Sequence, residues 1–116
     1  MEVAIVHSSK PAATKRGQTL FIPLVEILFI ERINQCSCII SQHDSIPVRT
    51  TLKFFGSSLP DNFVRAHRSF IINKNLVKGL NRRDYNNFIV KFKETKAEAL
   101  VSKGQLENLF TLNSIE

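Results

Sequence analysis

The sequence is poor in the residues on which most enzymes, metal sites and disulfide frameworks depend. Its 116 residues include four glycines, two cysteines, three histidines, one tyrosine and no tryptophan. The scattered glycines exclude a glycine-rich phosphate loop, and neither paired carboxylates nor a Ser/His/Asp or Cys/His arrangement is evident. The sequence therefore predicts a binding protein with no enzymatic activity, no metal ion and no cofactor.

The two cysteines, Cys36 and Cys38, predict a reduced protein of the cytoplasm. One residue separates them, which strains a disulfide within an extended strand, and a zinc site usually needs four ligands at wider spacing. The longest apolar run, residues 20–30, contains Pro23 and Glu26 and is too short to span a bilayer. The N-terminus lacks the basic region followed by an apolar region that is typical of an export signal. We therefore expect no membrane partner.

Acidic residues are scarce in one part of the chain. Between residues 62 and 103, ten lysines and arginines stand against three acidic residues, which is a net charge of +7. The rest of the chain has a net charge of −1. A basic region of this kind indicates binding to nucleic acid or to an anionic membrane surface, although a merely soluble lysine-rich surface has the same composition.

The pattern of apolar residues predicts one mainly β domain with two short helices. Residues 1–16 read as an N-terminal lead-in or linker, and residues 17–116 as the domain. Apolar periodicity and turn residues predict strands at 19–22, 26–33, 36–42, 46–50, 63–67, 70–72, 77–82, 87–93 and 97–101. Helical spacing predicts helices at 51–59 and 103–112, with Thr51 and Ser102 as N-caps.

The segment Phe63-Val-Arg-Ala-His-Arg-Ser-Phe-Ile-Ile-Asn73 is the most informative part of the chain. Arg65 and Arg68 interrupt a β-prone apolar run. Burying an unpaired guanidinium group has a large free-energy cost, so these side chains are expected at a surface. On a regular strand, two residues three positions apart point to opposite faces. We therefore expect Arg68 at the strand end in contact with nucleic acid, and Arg65 on phosphate or braced by a carboxylate. His67 is expected to be structural.

This segment resembles the LytTR DNA-binding domain of bacterial response regulators, whose strand reads roughly Phe-x-Arg-x-His-Arg-Ser-aromatic-Ile-x-Asn. Three further motifs agree in order and spacing. They are Ile-Leu-Phe-Ile-Glu at 27–31, the helix from Thr-Leu to Leu-Pro at 51–60, and Val-Ser-Lys at 101–103. The resemblance covers about residues 17–112.

The resemblance implies an elongated array of small, mostly antiparallel sheets that binds promoter DNA sequence-specifically, often at direct repeats with two copies side by side. It implies that bases are read by three segments, namely residues 34–37, residues 68–69 and residues 102–103. Within and beside these segments we expect base contacts by Arg68 and Lys103 together with Gln35 or Ser37. We expect phosphate contacts by Arg65, Ser69, Ser102 and nearby lysines. Lys103 stands where the family usually has arginine, and lysine lacks the planar guanidinium fork.

Two other functions stay open at this point. A single-stranded nucleic-acid or RNA-binding β module needs exposed aromatic side chains on a sheet face. A protein-interaction module would use its basic face to dock an acidic partner. Most aromatic residues of this sequence alternate toward the predicted core, so we rank duplex DNA first.

Overall fold

Three antiparallel sheets and short helices make up the fold. The structure, a computed structural model, describes residues 2–5, 11–15 and 18–109, with side chains from Ile22 to Leu109. The first sheet contains strands β1 (Glu2–Ile5), β2 (Pro11–Lys15) and β3 (Gln18–Phe21) in that order. Strand β2 pairs with β3, so backbone hydrogen bonds cross the predicted boundary at residue 16, and that division of the chain stays a prediction.

The central sheet has five strands in the order β6-β5-β4-β8-β7. Its strands are β4 (Ile27–Ile33), β5 (Cys36–Ser41), β6 (Ser45–Val48), β7 (Phe63–His67) and β8 (Phe70–Asn73). Pro47 lies on the edge strand β6, as expected for a residue that cannot donate to a sheet ladder. Helix α1 (Leu52–Ser58) connects β6 to β7.

The third sheet has the order β11-β10-β9 and is followed by the last described helix. Its strands are β9 (Val77–Arg82), β10 (Asn87–Phe92) and β11 (Glu98–Ser102). A 3-10 turn at Lys103–Gln105 leads into α2 (Leu106–Leu109), so the predicted helix at 103–112 begins with a tighter turn, and its end lies outside the described residues. None of the described helices is long and apolar enough to cross a membrane.

Strand β4 is buried on both faces and joins two hydrophobic clusters. Ile27 and Ile30 pack with Leu52 and Phe55 of α1 in one cluster. Phe29 packs on the other face, where its ring lies 5.3 Å from that of Phe92 in the third sheet. A register shift between Ile27 and Phe29 explains why these two residues face different clusters despite a spacing of two.

The predicted mainly β architecture with two short helices is confirmed. The Thr51 hydroxyl accepts a hydrogen bond from the Phe54 amide at 3.0 Å, as an N-cap residue should. Cys36 and Cys38 are both free thiols. The strand bounds differ from the predicted ones by one or two residues, chiefly where strands pass into turns.

Asn73, the last residue of the Phe63–Asn73 segment, is a buried polar anchor. Its side chain is 2% exposed, and its amide donates to the Ile27 carbonyl at 2.9 Å. Its oxygen accepts from the Asn62 amide at 2.8 Å and from the Asn75 backbone at 3.1 Å. One side chain thus ties the start of β4 to the ends of β7 and β8.

We expect Asn73→Ala to lower the free energy of unfolding by about 1–3 kcal/mol, because the buried Ile27 carbonyl and the half-buried Asn62 side-chain amide lose their partner. Urea unfolding followed by circular dichroism measures this change. Asn75→Ala is the matched control, since Asn75 is exposed and contributes only its backbone amide to the network. Equal midpoints for the two variants would contradict the assignment.

Candidate nucleic-acid interface

The turn between β7 and β8 brings Arg65 and Arg68 to one side of the molecule. The pairing of the two strands shifts register between Arg65 and His67, and β7 ends at His67. Both arginines are exposed and line the same two grooves. Opposite faces are expected only for a regular strand, and here the strand shifts register and ends between the two arginines, so strict alternation does not apply.

Two backbone carbonyls hold the Arg65 guanidinium, and no carboxylate from the described side chains pairs with it. Its Nε donates to the His67 carbonyl at 3.0 Å, and one Nη donates to the Arg68 carbonyl at 2.7 Å. The one ion pair among residues 22–109 joins Lys91 to Glu98. The expected carboxylate brace for Arg65 is thus wrong, and the turn keeps its full positive charge.

His67 is a structural residue of the same turn. Its Nδ1 accepts a hydrogen bond from the Ser69 amide at 3.1 Å, and its ring meets the Phe70 ring edge-on with centroids 5.7 Å apart. Burial lowers the pKa of His67, and the charges of Arg68 and Arg65 lower it further. The neutral ring is the form that this hydrogen bond requires.

Three adjoining grooves form a continuous basic surface, which we call the arginine strip (Arg32, Arg49, Lys53, Arg65 and Arg68). The first groove is lined by Arg32 and Arg49 together with the turn residues Asn34 and Gln35. The second shares Arg32 and adds Lys53, Arg65 and Arg68. The third groove shares Arg65 and Arg68 with the second and ends at Ser102 and Gln105. Among residues 22–109, no aspartate or glutamate lines any of the three grooves.

Three members of this strip were not predicted as site residues from the sequence. Arg32, Arg49 and Lys53 lie outside residues 62–103, in the part of the chain whose charges sum to −1. Arg32 reaches the strip because its amide donates to the Ser69 carbonyl at 2.8 Å, which places the end of β4 against the β7–β8 turn. Glu31 and Arg32 follow four apolar residues of β4, and the arginine at this point was the available signal.

In the segment after β4, Gln35 is exposed whereas Ser37 is buried. Asn34 adopts a positive φ of 56°, which Asn tolerates better than most residues, and Gln35 is exposed beside Arg32 and Arg49. Ser37 is fully buried, and its hydroxyl donates to the Thr50 carbonyl. The expectation that Ser37 contacts a base edge is therefore wrong, whereas Gln35 lies at one end of the strip.

Ser102 lies at the other end, where β11 leaves the third sheet, and Lys103 is the next residue along the chain. The Ser102 hydroxyl donates to the Ala66 carbonyl at 3.4 Å and does not cap the following turn, contrary to the expected N-cap contact. The Lys103 amide donates to the Asn86 carbonyl at 2.7 Å and is not free for a ligand. The Lys103 ammonium lies 4.2 Å from the centre of the Tyr85 ring.

Most of the aromatic side chains that the structure describes on the central and third sheets lie in the core and offer no stacking platform. Phe29, Phe70 and Phe92 are at most 6% exposed. Two aromatic side chains among residues 22–109 are strongly exposed, and they lie on helix α1 (Phe54) and in the β9–β10 turn (Tyr85). This arrangement disfavours the single-stranded nucleic-acid alternative.

Comparisons with known proteins agree with this geometry. A family model described as the LytTr DNA-binding domain matches residues 17–113. The transcriptional regulatory protein NatR of Bacillus subtilis is 32% identical over 83 residues, which cover 71% of this chain and 36% of NatR. The transcriptional regulatory protein YpdB of Escherichia coli K12 is 26% identical over 112 residues, which cover 86% of this chain and 46% of YpdB.

A solved structure shares the fold. It is the LytTr DNA-binding domain of a putative methyl-accepting/DNA response regulator from Bacillus cereus, with a TM-score of 0.76 and 21% identity. The alignment covers 88% of this chain and 96% of that one. By contrast, the chain spans between about a third and a half of the length of NatR and YpdB.

The lowered pKa of His67 predicts a loss of stability in mild acid. Above the usual value of 6.5, the ring is neutral in both the folded and the unfolded state, and its stabilising contribution is complete. As the pH falls below 6.5, the unfolded chain takes up a proton that the folded chain resists, so the free energy of unfolding decreases through the folded pKa.

Urea unfolding of the unaltered chain and of His67→Gln, measured from about pH 8 to about pH 5, tests this linkage. We expect the free energy of unfolding of the unaltered chain to fall more steeply with acid than that of the variant. Identical pH profiles would show that His67 does not contribute.

Proposed function

The chain belongs to the LytTr DNA-binding domain family of transcriptional regulators, and from this premise we propose that the arginine strip is the surface that binds promoter duplex. The observation that carries the proposal is the strip itself. Five basic side chains from β4, the segment after β6, helix α1, strand β7 and the β7–β8 turn lie along connected grooves, and no carboxylate of residues 22–109 lines these grooves. Such a surface complements a regularly spaced row of phosphates.

The side chains of the strip and its ends divide into two roles. We assign base-edge contacts to Arg68, Gln35 and Lys103, which are exposed in turns where the side chains can enter a groove of the duplex. We assign phosphate contacts to the remaining basic residues of the strip, together with Ser69 and Ser102. Arg65 suits this role, because its carbonyl contacts hold the guanidinium in place and restrict it to the protein surface.

The context of the domain forms a further part of the proposal. The chain corresponds to a fraction of its curated relatives, and we infer that it supplies the DNA-binding function of a bacterial regulator in the cytoplasm without an enzymatic activity of its own. Binding at direct repeats would place two copies side by side on one duplex. Neither a single-stranded nucleic-acid function nor a protein-docking function has an observation of comparable weight.

Arg68→Ala is expected to reduce affinity for the preferred duplex by about 1–3 kcal/mol and to relax the preference at one base position, because a bidentate contact to a base edge is lost. Selection from a random duplex pool, followed by titration of the chosen sites, measures both effects. If affinity and base preference are both unchanged, Arg68 is not a reader of bases.

Arg32→Ala should weaken binding to all duplexes alike and reduce the slope of log affinity against log salt by about one, because one phosphate contact is removed. Lys93→Ala is the matched control. Lys93 is exposed and lies just beyond the end of the third sheet at which Lys91 pairs with Glu98. Ser102, which lines the third groove, pairs with Asn87 at the opposite end of that sheet. A larger effect of Lys93 than of Arg32 would place the duplex on a different surface.

A further inference from the structure

The β9–β10 turn holds Lys103 at two points. The Lys103 backbone amide donates to the Asn86 carbonyl at 2.7 Å, and its ammonium lies 4.2 Å from the centre of the Tyr85 ring. The backbone contact alone would fix the chain but leave four rotatable bonds free. The ring contact restricts the ammonium itself, because a cation is attracted to the face of an aromatic ring.

The turn that carries Tyr85 is itself internally braced. The Asp84 carboxylate accepts hydrogen bonds from the amides of Asn86 and Asn87 at 2.8 and 2.9 Å and from the Asn87 side chain at 3.3 Å. The Asn86 amide and then the Asn87 contacts lower the pKa of Asp84. The backbone on both sides of Tyr85 is therefore ordered, although its ring is 69% exposed.

We propose that Tyr85 is a positioning residue for sequence reading, which holds the Lys103 ammonium toward the duplex in place of the rigid guanidinium that an arginine would supply. This inference rests on the proposed function. A free lysine side chain loses rotamer entropy when it contacts one base edge, and the ring removes part of that loss before binding. The core does not require an exposed tyrosine in this turn, so the ring can be altered without disturbing the packed clusters.

The contact can be tested first without DNA. In the unaltered chain and in Tyr85→Phe, we expect the Lys103 Cε protons to show an upfield ring-current shift by nuclear magnetic resonance. Tyr85→Leu removes the ring and should return these protons to ordinary lysine positions. An unchanged Lys103 signal in Tyr85→Leu would overturn the inference, because the ring would then not hold the ammonium.

The second test measures base preference. Tyr85→Leu should lower affinity for the preferred duplex about two- to five-fold, the range of an exposed cation–π contact, and relax the preference at one position. Binding to unrelated duplexes should stay the same, and Tyr85→Phe should restore both affinity and preference. In a Lys103→Ala background, Tyr85→Leu should have no additional effect.

The outcomes separate this inference from the proposed function. If the unaltered chain shows no preference among duplexes, the proposed function fails and the inference fails with it. If the unaltered chain shows a preference that Tyr85→Leu retains in full, the inference alone is wrong. An equal loss from Tyr85→Leu with and without Lys103 would also overturn it, because Tyr85 would then act on DNA independently.

Discussion

The burial of strand β4 on both faces is the constraint on which the rest of the structure depends. Its first four side chains, Ile27–Ile30, are each at most 4% exposed, so the strand carries charge only near its end. There the Arg32 amide donates to the Ser69 carbonyl, and the end of β4 lies against the turn that carries Arg68. Core packing therefore decides which basic residues become neighbours on the surface.

The arginine strip is an assembly of like charges that the fold tolerates because four of them are exposed and Arg32 is only half-buried. Two unit charges 4 Å apart repel by only about 1 kcal/mol in water, and salt reduces this further. Arg65 is held by carbonyl groups, which orient a guanidinium without neutralising it. A carboxylate brace would have ordered the same side chain but removed one charge from the surface that meets the phosphates.

The fold could be predicted in outline from local patterns, and the site only in part. Alternating and helical apolar spacing placed most of the strands and helix α1, and Thr51 was recognisable as its cap. The positions of Gln35 and Arg68 on one surface followed from the family resemblance. The burial of Ser37 could not be predicted, because a serine in a strand gives no indication of whether its hydroxyl will find a carbonyl such as that of Thr50.

The sequence by itself determined most of the secondary structure, the location of the apolar core and the family to which the chain belongs, since these depend on residue order and spacing. Only the tertiary structure decided that Arg32, Arg49 and Lys53 join Arg65 and Arg68, and that Tyr85 lies against Lys103. The physical reason is that surface charge is summed in space. Residues more than thirty positions apart, such as Arg32 and Arg68, contribute to one field once strand pairing has brought them together.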